Sequence, residues 1–155
     1  MTLTEGKKAP EFTLPAAPDK TVSLKDYEGR ALILTFYPAD WSPICSDQLS
    51  LYNELIPVFN SLHADIVGIS VDSPWCHLAF SQSRNLRFPL LSDFEPKGAV
   101  SKAYDSYVDA KGTSGRSLFV IDDKGLLRWS HHSPLNINPG ADGILAALEA
   151  LTLNK

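Results

Sequence analysis

The chain has 155 residues, of which 44% are hydrophobic and 21% charged, and these proportions are those of a globular protein with one ordinary core. Its formal net charge of -4 gives no electrostatic reason to expect binding to nucleic acid or to an anionic membrane. No stretch approaches the roughly 20 apolar residues of a membrane span. Because no apolar segment stands near the N-terminus, we expect no secretory signal, a cytoplasmic location, and a single domain over residues 1–155.

Cysteine usage is sparse. Only two cysteines are present, Cys45 and Cys76, which are too few for a disulfide-stapled scaffold or a four-thiolate zinc site. In a reducing compartment, a disulfide between them would be transient and catalytic rather than structural. The alternative for either cysteine is the role of a small buried hydrophobic residue.

The first half of the chain predicts strands alternating with helices. Its prolines limit residues 10–15 to a short extended piece, and residues 22–24 alternate like a brief strand. The nearly unbroken apolar run over residues 31–37 predicts a central strand buried on both faces. Residues 43–62 carry apolar side chains at helical spacing, and Pro57 should kink or split that helix because it lacks an N–H group.

The second half adds a strand, more helices and a hairpin. Residues 66–71 predict a second buried strand, and Ser73 followed by Pro74 predicts the start of a helix that runs to Arg84. A short strand, a short helix, a β-hairpin and a closing helix are then predicted over residues 88–91, 95–104, 118–129 and 138–151. This order predicts an α/β protein of thioredoxin-like arrangement, with a central mixed β-sheet flanked by helices.

The segment over residues 36–45 contains the candidate reactive residue. A buried strand ends at Pro38, a short loop follows, and Cys45 falls in the first turn of the next helix. Loops after the carboxyl ends of strands form the functional edge of an α/β sheet. A helix N-terminus presents unpaired N–H groups and a partial positive charge, which favour a thiolate over a thiol. The sequence therefore places a nucleophile where the backbone can activate it.

The spacing Pro38-x-x-x-Ser42-x-x-Cys45 resembles the signature of the peroxiredoxin family: proline, three residues, threonine or serine, two residues, cysteine. A series of such blocks in the family's order makes the resemblance specific. Further blocks that resemble the family, in its order, lie at residues 6–14, 71–73, 88–93 and 116–122. The resemblance covers most of the chain and implies a thiol peroxidase with a thioredoxin-like three-layer fold.

The resemblance also implies roles for the residues around Cys45. Cys45 would attack one peroxide oxygen and become a sulfenic acid. Arg116 would stabilise the thiolate and orient the peroxide oxygens, Ser42 would donate a hydrogen bond to the substrate, and Pro38 would shield the thiolate from water. Without the motif, Arg116 would be an ordinary surface arginine and Ser42 a simple helix N-cap. The substrate pocket would further be lined by Trp41 and Ile44.

Two departures separate the chain from thioredoxin-type disulfide reductases. Those proteins carry two cysteines separated by two residues, and Ser42 stands where the first would be. Disulfide exchange at such a site needs that attacking thiol. Arg116 stands where those reductases would carry a proline before the corresponding strand. Both departures favour a peroxidase.

Cys76 is the candidate for resolving the sulfenic acid. Peroxiredoxins with a resolving cysteine five residues on would need one at Ser50, and no cysteine follows Cys76 for the type that uses a C-terminal one. The expected resolution is an intramolecular disulfide between Cys45 and Cys76, which thioredoxin or a similar dithiol would reduce. Disulfide geometry needs Cα atoms within about 7 Å, so the first helical turns would have to unwind. A one-cysteine mechanism, with Cys76 as a packing residue, stays open.

The resemblance implies hydrogen peroxide and small organic hydroperoxides as substrates, no metal, haem or flavin, and a homodimer, as many relatives form. His131 and His132, with Cys76, lack the ligand spacing of a closed metal site, and we expect His77 to be an exposed helix histidine. Two other functions stay open: a disulfide oxidoreductase of the same fold, and a peroxide-sensing redox protein that passes its oxidation state to a partner.

Overall fold

The computed structural model describes residues 3–153, so residues 1–2 and 154–155 of the predicted domain lie outside the described residues. Within that range the strands are β1 (Thr13–Ala17), β2 (Lys20–Ser23), β3 (Ala31–Phe36), β4 (Ala64–Ser70), β5 (Leu90–Ser92), β6 (Tyr107–Val108), β7 (Thr113–Ser114), β8 (Arg116–Ile121) and β9 (Leu127–Ser133). The helices are α1 (Pro43–Glu54), α2 (Ile56–Ser61), α3 (Pro74–Arg84), α4 (Ala99–Ala103) and α5 (Asp142–Leu153), and a single 3-10 turn spans Leu24–Tyr27. None of these helices is long and apolar enough to cross a bilayer.

Five strands form the central sheet in the order β5-β4-β3-β8-β9. Strands β3, β4 and β5 are parallel, whereas β8 runs antiparallel to β3 and β9 antiparallel to β8. Two small antiparallel pairs, β1 with β2 and β6 with β7, lie outside that sheet. The mixed sheet and its helices confirm the predicted α/β fold class.

Strand β3 is buried along its whole length, as its apolar sequence predicts. Ile33 packs in a core that α1, α2 and α5 cover on one face of the sheet. Leu32, Leu34 and Phe36 point to the opposite face, where β1, β2, the 3-10 turn and Val100 of α4 cover them. The alternation of side chains along a strand therefore sends this apolar run into two separate cores.

Pro57 splits the long helical pattern in two, as predicted. α1 ends at Glu54, Leu55 leaves helical geometry with φ -89° and ψ 0°, and α2 begins at Ile56. Pro57 then occupies the first turn of α2, where a missing N–H group costs no hydrogen bond.

The predicted start of the last helix is wrong. The dipeptide Asn138-Pro139 indicated a start there, but α5 begins at Asp142. Gly140 lies between them with φ 68°, in the left-handed region that interrupts a right-handed helix. The Asn138 side chain accepts a hydrogen bond from the Gly140 N–H at 2.9 Å, which stabilises a turn there instead.

The parallel pair β3 and β4 positions the functional edge, because both strands end on the same side of the sheet. α1 follows β3 after a short loop, and α3 follows β4 in the same way. Gly68 in β4 gives room for the Tyr37 ring, since a Cβ at that position would lie 3.2 Å from a Tyr37 ring carbon and 2.8 Å from Leu90. A side chain at position 68 would therefore displace the residue from which the β3–α1 loop starts.

Candidate active site

Cys45 occupies the third position of α1, as the sequence predicts. Ser42 is the N-cap, and its hydroxyl oxygen accepts a hydrogen bond from the Cys45 N–H at 3.3 Å. Pro43 follows at the first helical position, where its missing N–H group is not needed. The Cys45 side chain is fully buried, and the cysteine is reduced. The reactivity of its sulfur therefore depends on the few groups that contact it.

Arg116 places its guanidinium against the sulfur. Nη2 of Arg116 lies 3.4 Å from Cys45 Sγ, and the arginine side chain is buried. Nη1 donates to Gln48 Oε1 at 2.7 Å, while Nε and Nη2 donate to the Leu135 carbonyl at 3.0 and 2.8 Å. Among these hydrogen-bond partners only the Cys45 sulfur is an ionisable group, and the guanidinium places a positive charge directly beside it.

The sheet brings Arg116 to this position. It is the first residue of β8, which pairs antiparallel with β3, and its neighbour Ser117 lies opposite Phe36 at the end of β3. The start of β8 therefore meets the end of β3, next to the first turn of α1. The expectation of an ordinary surface arginine, which applied without the motif, does not fit a side chain that is only 2% exposed.

Gln48 and Tyr52 extend this network, and sequence reasoning did not single out Gln48. Gln48 is fully buried one turn after Cys45, and its Nε2 donates to the Tyr52 hydroxyl at 3.0 Å. The Tyr52 hydroxyl donates to the Gly140 carbonyl at 2.8 Å. Burial raises the pKa of Tyr52 to about 12, although the Gln48 hydrogen bond and the Arg116 charge lower it, so the hydroxyl remains a donor.

A sequence signal for Gln48 exists. Cys45, Gln48 and Tyr52 are spaced by three and four residues, which places them on one face of α1. A glutamine on the otherwise apolar face of a helix has to find buried hydrogen-bond partners. Their identity depends on β8 and on the loop before α5, which the helical pattern does not reveal.

A shallow pocket of about 340 Å³ opens beside the cysteine. Ser42 and Arg116, which both contact Cys45, line it. The full lining consists of Pro38, Ser42, Ile44, Lys111, Thr113, Arg116, Leu135 and Asn136. The Trp41 ring does not line this pocket and lies edge-on against Phe80 at a centroid distance of 5.3 Å. The structure thus brings Pro38, Ser42, Ile44 and Arg116 to one pocket and leaves the Trp41 ring outside it.

Cys76 has a very different environment. It occupies the third position of α3, and its N–H donates to the Ser73 hydroxyl oxygen at 3.2 Å. Its thiol is reduced and partly exposed. Burial, followed by the charge of Asp40 and a hydrogen bond to it and then by the charge of Asp72, raises the pKa of Cys76 to about 11. At neutral pH this sulfur is a thiol.

His77 is buried, so the expectation of an exposed helix histidine is wrong. Only 2% of its surface is exposed. Its Nδ1 lies 2.7 Å from Asp40 Oδ2, and its Nε2 lies 3.0 Å from the Leu91 carbonyl oxygen. The periodicity of α3 could not reveal this burial, because the partners come from the β3–α1 loop and from β5.

The chain resembles known proteins both in sequence and in fold. Residues 5–130, which include Cys45 and Arg116, match the model of the AhpC/TSA family. The chain is 35% identical over 155 residues to a thioredoxin peroxidase of Echinococcus granulosus, with 94% of this chain and 79% of that relative covered. It is 33% identical over 156 residues to peroxiredoxin-1 of Gallus gallus, with 94% and 77% covered. Among solved structures, the reduced 2-Cys peroxiredoxin of Plasmodium vivax superposes with a TM-score of 0.88 at 27% identity, over 97% of this chain and 82% of that one.

Proposed function

Because the chain belongs to the peroxiredoxin family of peroxide-reducing thiol peroxidases, we propose that Cys45 attacks hydrogen peroxide and small organic hydroperoxides as its thiolate. One observation carries this assignment: Nη2 of the buried Arg116 lies 3.4 Å from Cys45 Sγ. A fixed positive charge that is shielded from water favours the ionised form of the sulfur it touches. The thiolate is the nucleophilic form of cysteine, so Arg116 activates it.

The reaction proceeds by displacement on oxygen. The Cys45 thiolate attacks one peroxide oxygen, an S–O bond forms and the O–O bond breaks, which leaves a sulfenic acid. The second oxygen leaves as hydroxide or alkoxide and takes up a proton to give water or an alcohol. Ser42 accepts a hydrogen bond from the Cys45 N–H, so its own hydroxyl hydrogen is available to the peroxide. Arg116 stabilises the negative charge that develops on the leaving oxygen.

The site is organised before the substrate arrives. Gln48 and the Leu135 carbonyl hold the guanidinium through hydrogen bonds of 2.7 to 3.0 Å, so the arginine loses little freedom during the reaction. Pro38, Ile44 and Leu135 supply apolar walls to a pocket of about 340 Å³, which has room for a small organic group beside the peroxide.

The test is the second-order rate constant of Cys45 with hydrogen peroxide, measured by stopped-flow fluorescence and compared with that of free cysteine at the same pH. We expect the protein to react several orders of magnitude faster. A rate no faster than that of free cysteine would contradict the peroxidase. Reduction of insulin without turnover of peroxide would instead support a disulfide oxidoreductase, the first alternative function.

The proposal extends to the second half of the cycle, in which Cys76 of the same chain resolves the sulfenic acid. The Cys76 sulfur attacks the Cys45 sulfur, the S–O bond breaks, and the departing hydroxide takes the Cys76 proton to form water. In support, α1 and α3 begin at the same edge of the sheet. Burial, followed by Asp40 and Asp72, raises the pKa of Cys76 to about 11, so unwinding of the first helical turns would also favour the reaction by exposing the thiol and moving it from these carboxylates.

The reductant in this proposal is thioredoxin, since a relative of 35% identity is named thioredoxin peroxidase and another is named thioredoxin-dependent peroxide reductase. A cytoplasmic location and a homodimer belong to the same proposal. Consumption of NADPH by thioredoxin reductase and thioredoxin in the presence of peroxide tests the reductant. Light scattering of the reduced protein tests the dimer.

Thiol mapping after one equivalent of peroxide tests the role of Cys76. We expect mass spectrometry to find a Cys45–Cys76 disulfide within one chain. A persistent sulfenic acid at Cys45, with Cys76 still open to alkylation, would refute resolution by Cys76 and support a one-cysteine mechanism. Either outcome leaves the first peroxide reaction of Cys45 unaffected, so the two halves of the proposal are tested separately.

A further inference from the structure

The loop between β3 and α1 is fixed by polar contacts that lie outside the peroxide pocket. Asp40 in this loop is buried, and both of its carboxylate oxygens accept hydrogen bonds. Oδ1 accepts from the Tyr37 hydroxyl at 2.6 Å, and Oδ2 lies 2.7 Å from His77 Nδ1 on α3. The Asp40 N–H donates to Asp72 Oδ2 at 2.8 Å. Three elements of the fold therefore determine where Asp40 lies.

His77 faces a hydrogen-bond acceptor at each ring nitrogen. The Leu91 carbonyl, 3.0 Å from Nε2, can only accept, so we assign a hydrogen to Nε2. Nδ1 faces Oδ2 of the Asp40 carboxylate at 2.7 Å, so both ring nitrogens have an oxygen partner supplied by a different element of the fold. Loss of either side chain would leave a buried polar atom of the other without its closest hydrogen-bond partner.

Trp41, the next residue of the loop, has a backbone conformation that few residues with side chains adopt. Its φ angle is 73°, in the left-handed region, and such a conformation persists only where the surroundings impose it. The Trp41 ring packs edge-on against Phe80 of α3. His77 and Phe80 are three residues apart and share one face of that helix. One face of α3 thus holds two successive residues of the loop.

Asp40 and Trp41 come immediately before the N-cap of the helix that carries Cys45. Ser42 follows Trp41 and caps α1 by accepting from the Cys45 N–H. A shift of Asp40 and Trp41 would therefore move the cap and the cysteine relative to Arg116. Within residues 3–153, His77 is not among the residues that line the peroxide pocket, so any effect it has on the reaction passes through the loop.

From these contacts we propose that His77 is a positioning residue for the peroxidase reaction: by holding Asp40, it fixes the loop that places Ser42 and Cys45 against Arg116. The inference rests on the proposed function of Cys45. It assigns to α3 a role in the first chemical step that is independent of the role of Cys76 on the same helix.

The test measures two rate constants of Cys45 in a Cys76→Ser background. One is for the reaction with hydrogen peroxide, and the other is for alkylation by iodoacetamide. His77→Phe keeps a ring and removes both nitrogens that contact Asp40 and the Leu91 carbonyl. We expect the peroxide rate constant to fall about 10- to 100-fold, the range that follows from a displacement of about 1 Å in an active site. Alkylation should fall much less, because it does not need the peroxide to be aligned between Ser42 and Arg116. His77→Gln keeps one donor and should retain more of the peroxide rate.

Controls separate positioning from a general loss of stability. Val67→Ala removes buried atoms on the opposite face of the sheet and should lower the melting temperature while leaving both rate constants unchanged. Tyr37→Phe removes the hydroxyl that donates to Asp40. If the histidine variants do not fold, this variant tests whether the peroxide rate constant depends on the position of Asp40. We expect the Tyr37→Phe peroxide rate to fall about threefold or more relative to its alkylation rate.

The outcomes are distinct. Folded His77 variants, or a Tyr37→Phe variant, with a peroxide rate within twofold of the parent protein would overturn the inference, and so would equal falls in the two rates. A parent protein that reacts with peroxide no faster than free cysteine would overturn the proposed function as well. A fast parent with unaffected variants would overturn the positioning role alone.

Discussion

The two cysteines begin their helices in the same way and yet have opposite surroundings. Residues 42–45 and 73–76 both have the sequence Ser-Pro-x-Cys, and in each the serine hydroxyl accepts from the cysteine N–H, at 3.3 and 3.2 Å. Cys45 is fully buried against the guanidinium of Arg116. Cys76 is partly exposed, and burial together with the two nearby carboxylates of Asp40 and Asp72 raises its pKa to about 11. Two equivalent helix starts therefore place their cysteines in opposite electrostatic surroundings, because other elements of the fold bring a guanidinium to one and carboxylates to the other.

The largest expected effect comes from removing each sulfur in turn. Cys45→Ser should lower peroxide reduction by on the order of 10³-fold or more, since no other nucleophile occupies the site. Cys76→Ser should react with the first equivalent of peroxide at a rate within about twofold of the original. Stopped-flow fluorescence in single-turnover mode measures both. Equal losses in the two variants would contradict the division of roles.

Removal of the guanidinium should have the next largest effect. Arg116→Met keeps much of the side-chain volume but deletes the charge and the donor beside Cys45 Sγ, so the peroxide rate constant should fall about 10²- to 10³-fold. Arg84→Met, at the end of α3, serves as the control and should leave the rate unchanged. Circular dichroism shows whether each variant is folded. A folded Arg116→Met protein with a rate within threefold of the original would show that the charge does not activate Cys45.

The pH dependence of Cys76 alkylation tests the environment of the second cysteine. Below its pKa of about 11 the thiol predominates, and only the thiolate reacts with iodoacetamide. In a Cys45→Ser background, alkylation of Cys76 should therefore rise about tenfold per pH unit between pH 8 and pH 10, and level off only near pH 11. Asp40→Asn removes the carboxylate that acts most strongly on this thiol and should move this curve to lower pH. A plateau already reached at pH 9 would contradict the raised pKa, and a curve unchanged in Asp40→Asn would show that this carboxylate does not act on the thiol.

The smallest expected effect distinguishes helix capping by Ser42 from a role of Ser42 in the peroxide reaction. Ser42→Ala and Ser73→Ala remove equivalent N-caps, and each should lower the free energy of unfolding by about 1 kcal/mol in urea titrations. Only Ser42 lies in the peroxide pocket, so Ser42→Ala should also lower the peroxide rate constant about tenfold, whereas Ser73→Ala should not. Identical peroxide rates in the two variants would restrict Ser42 to a capping role.

The fold could be predicted where the controlling interactions are local. The apolar run of β3, the break before Pro57 and the Ser-Pro start of α3 all depend on neighbours in sequence, and the structure has each of them. The start of α5 could not be predicted, because the left-handed φ of Gly140 and its hydrogen bond to Asn138 replace a helical turn there. A proline after asparagine suits either structure, so the local pattern did not decide between them.

The site could be predicted where its residues form one segment or match a family pattern. Pro38, Ser42 and Cys45 lie close together in sequence, and the resemblance added Arg116 from β8. Gln48 was missed because its partner Arg116 is 68 residues away, and that contact exists only once β8 pairs with β3. The buried position of His77 was missed for the same reason, since the side chain of Asp40 is 37 residues distant.

The long separation between the contacting residues has a consequence for the chain while it is being synthesised. Arg116 meets Cys45 across 71 residues, and the Tyr52 hydroxyl meets the Gly140 carbonyl across 88. A chain translated only through its first hundred codons therefore has Ser42 and the start of α1 beside Cys45 but not the guanidinium of Arg116. We expect rapid reaction of the nascent cysteine with peroxide only after Arg116 has been added and β8 has paired with β3.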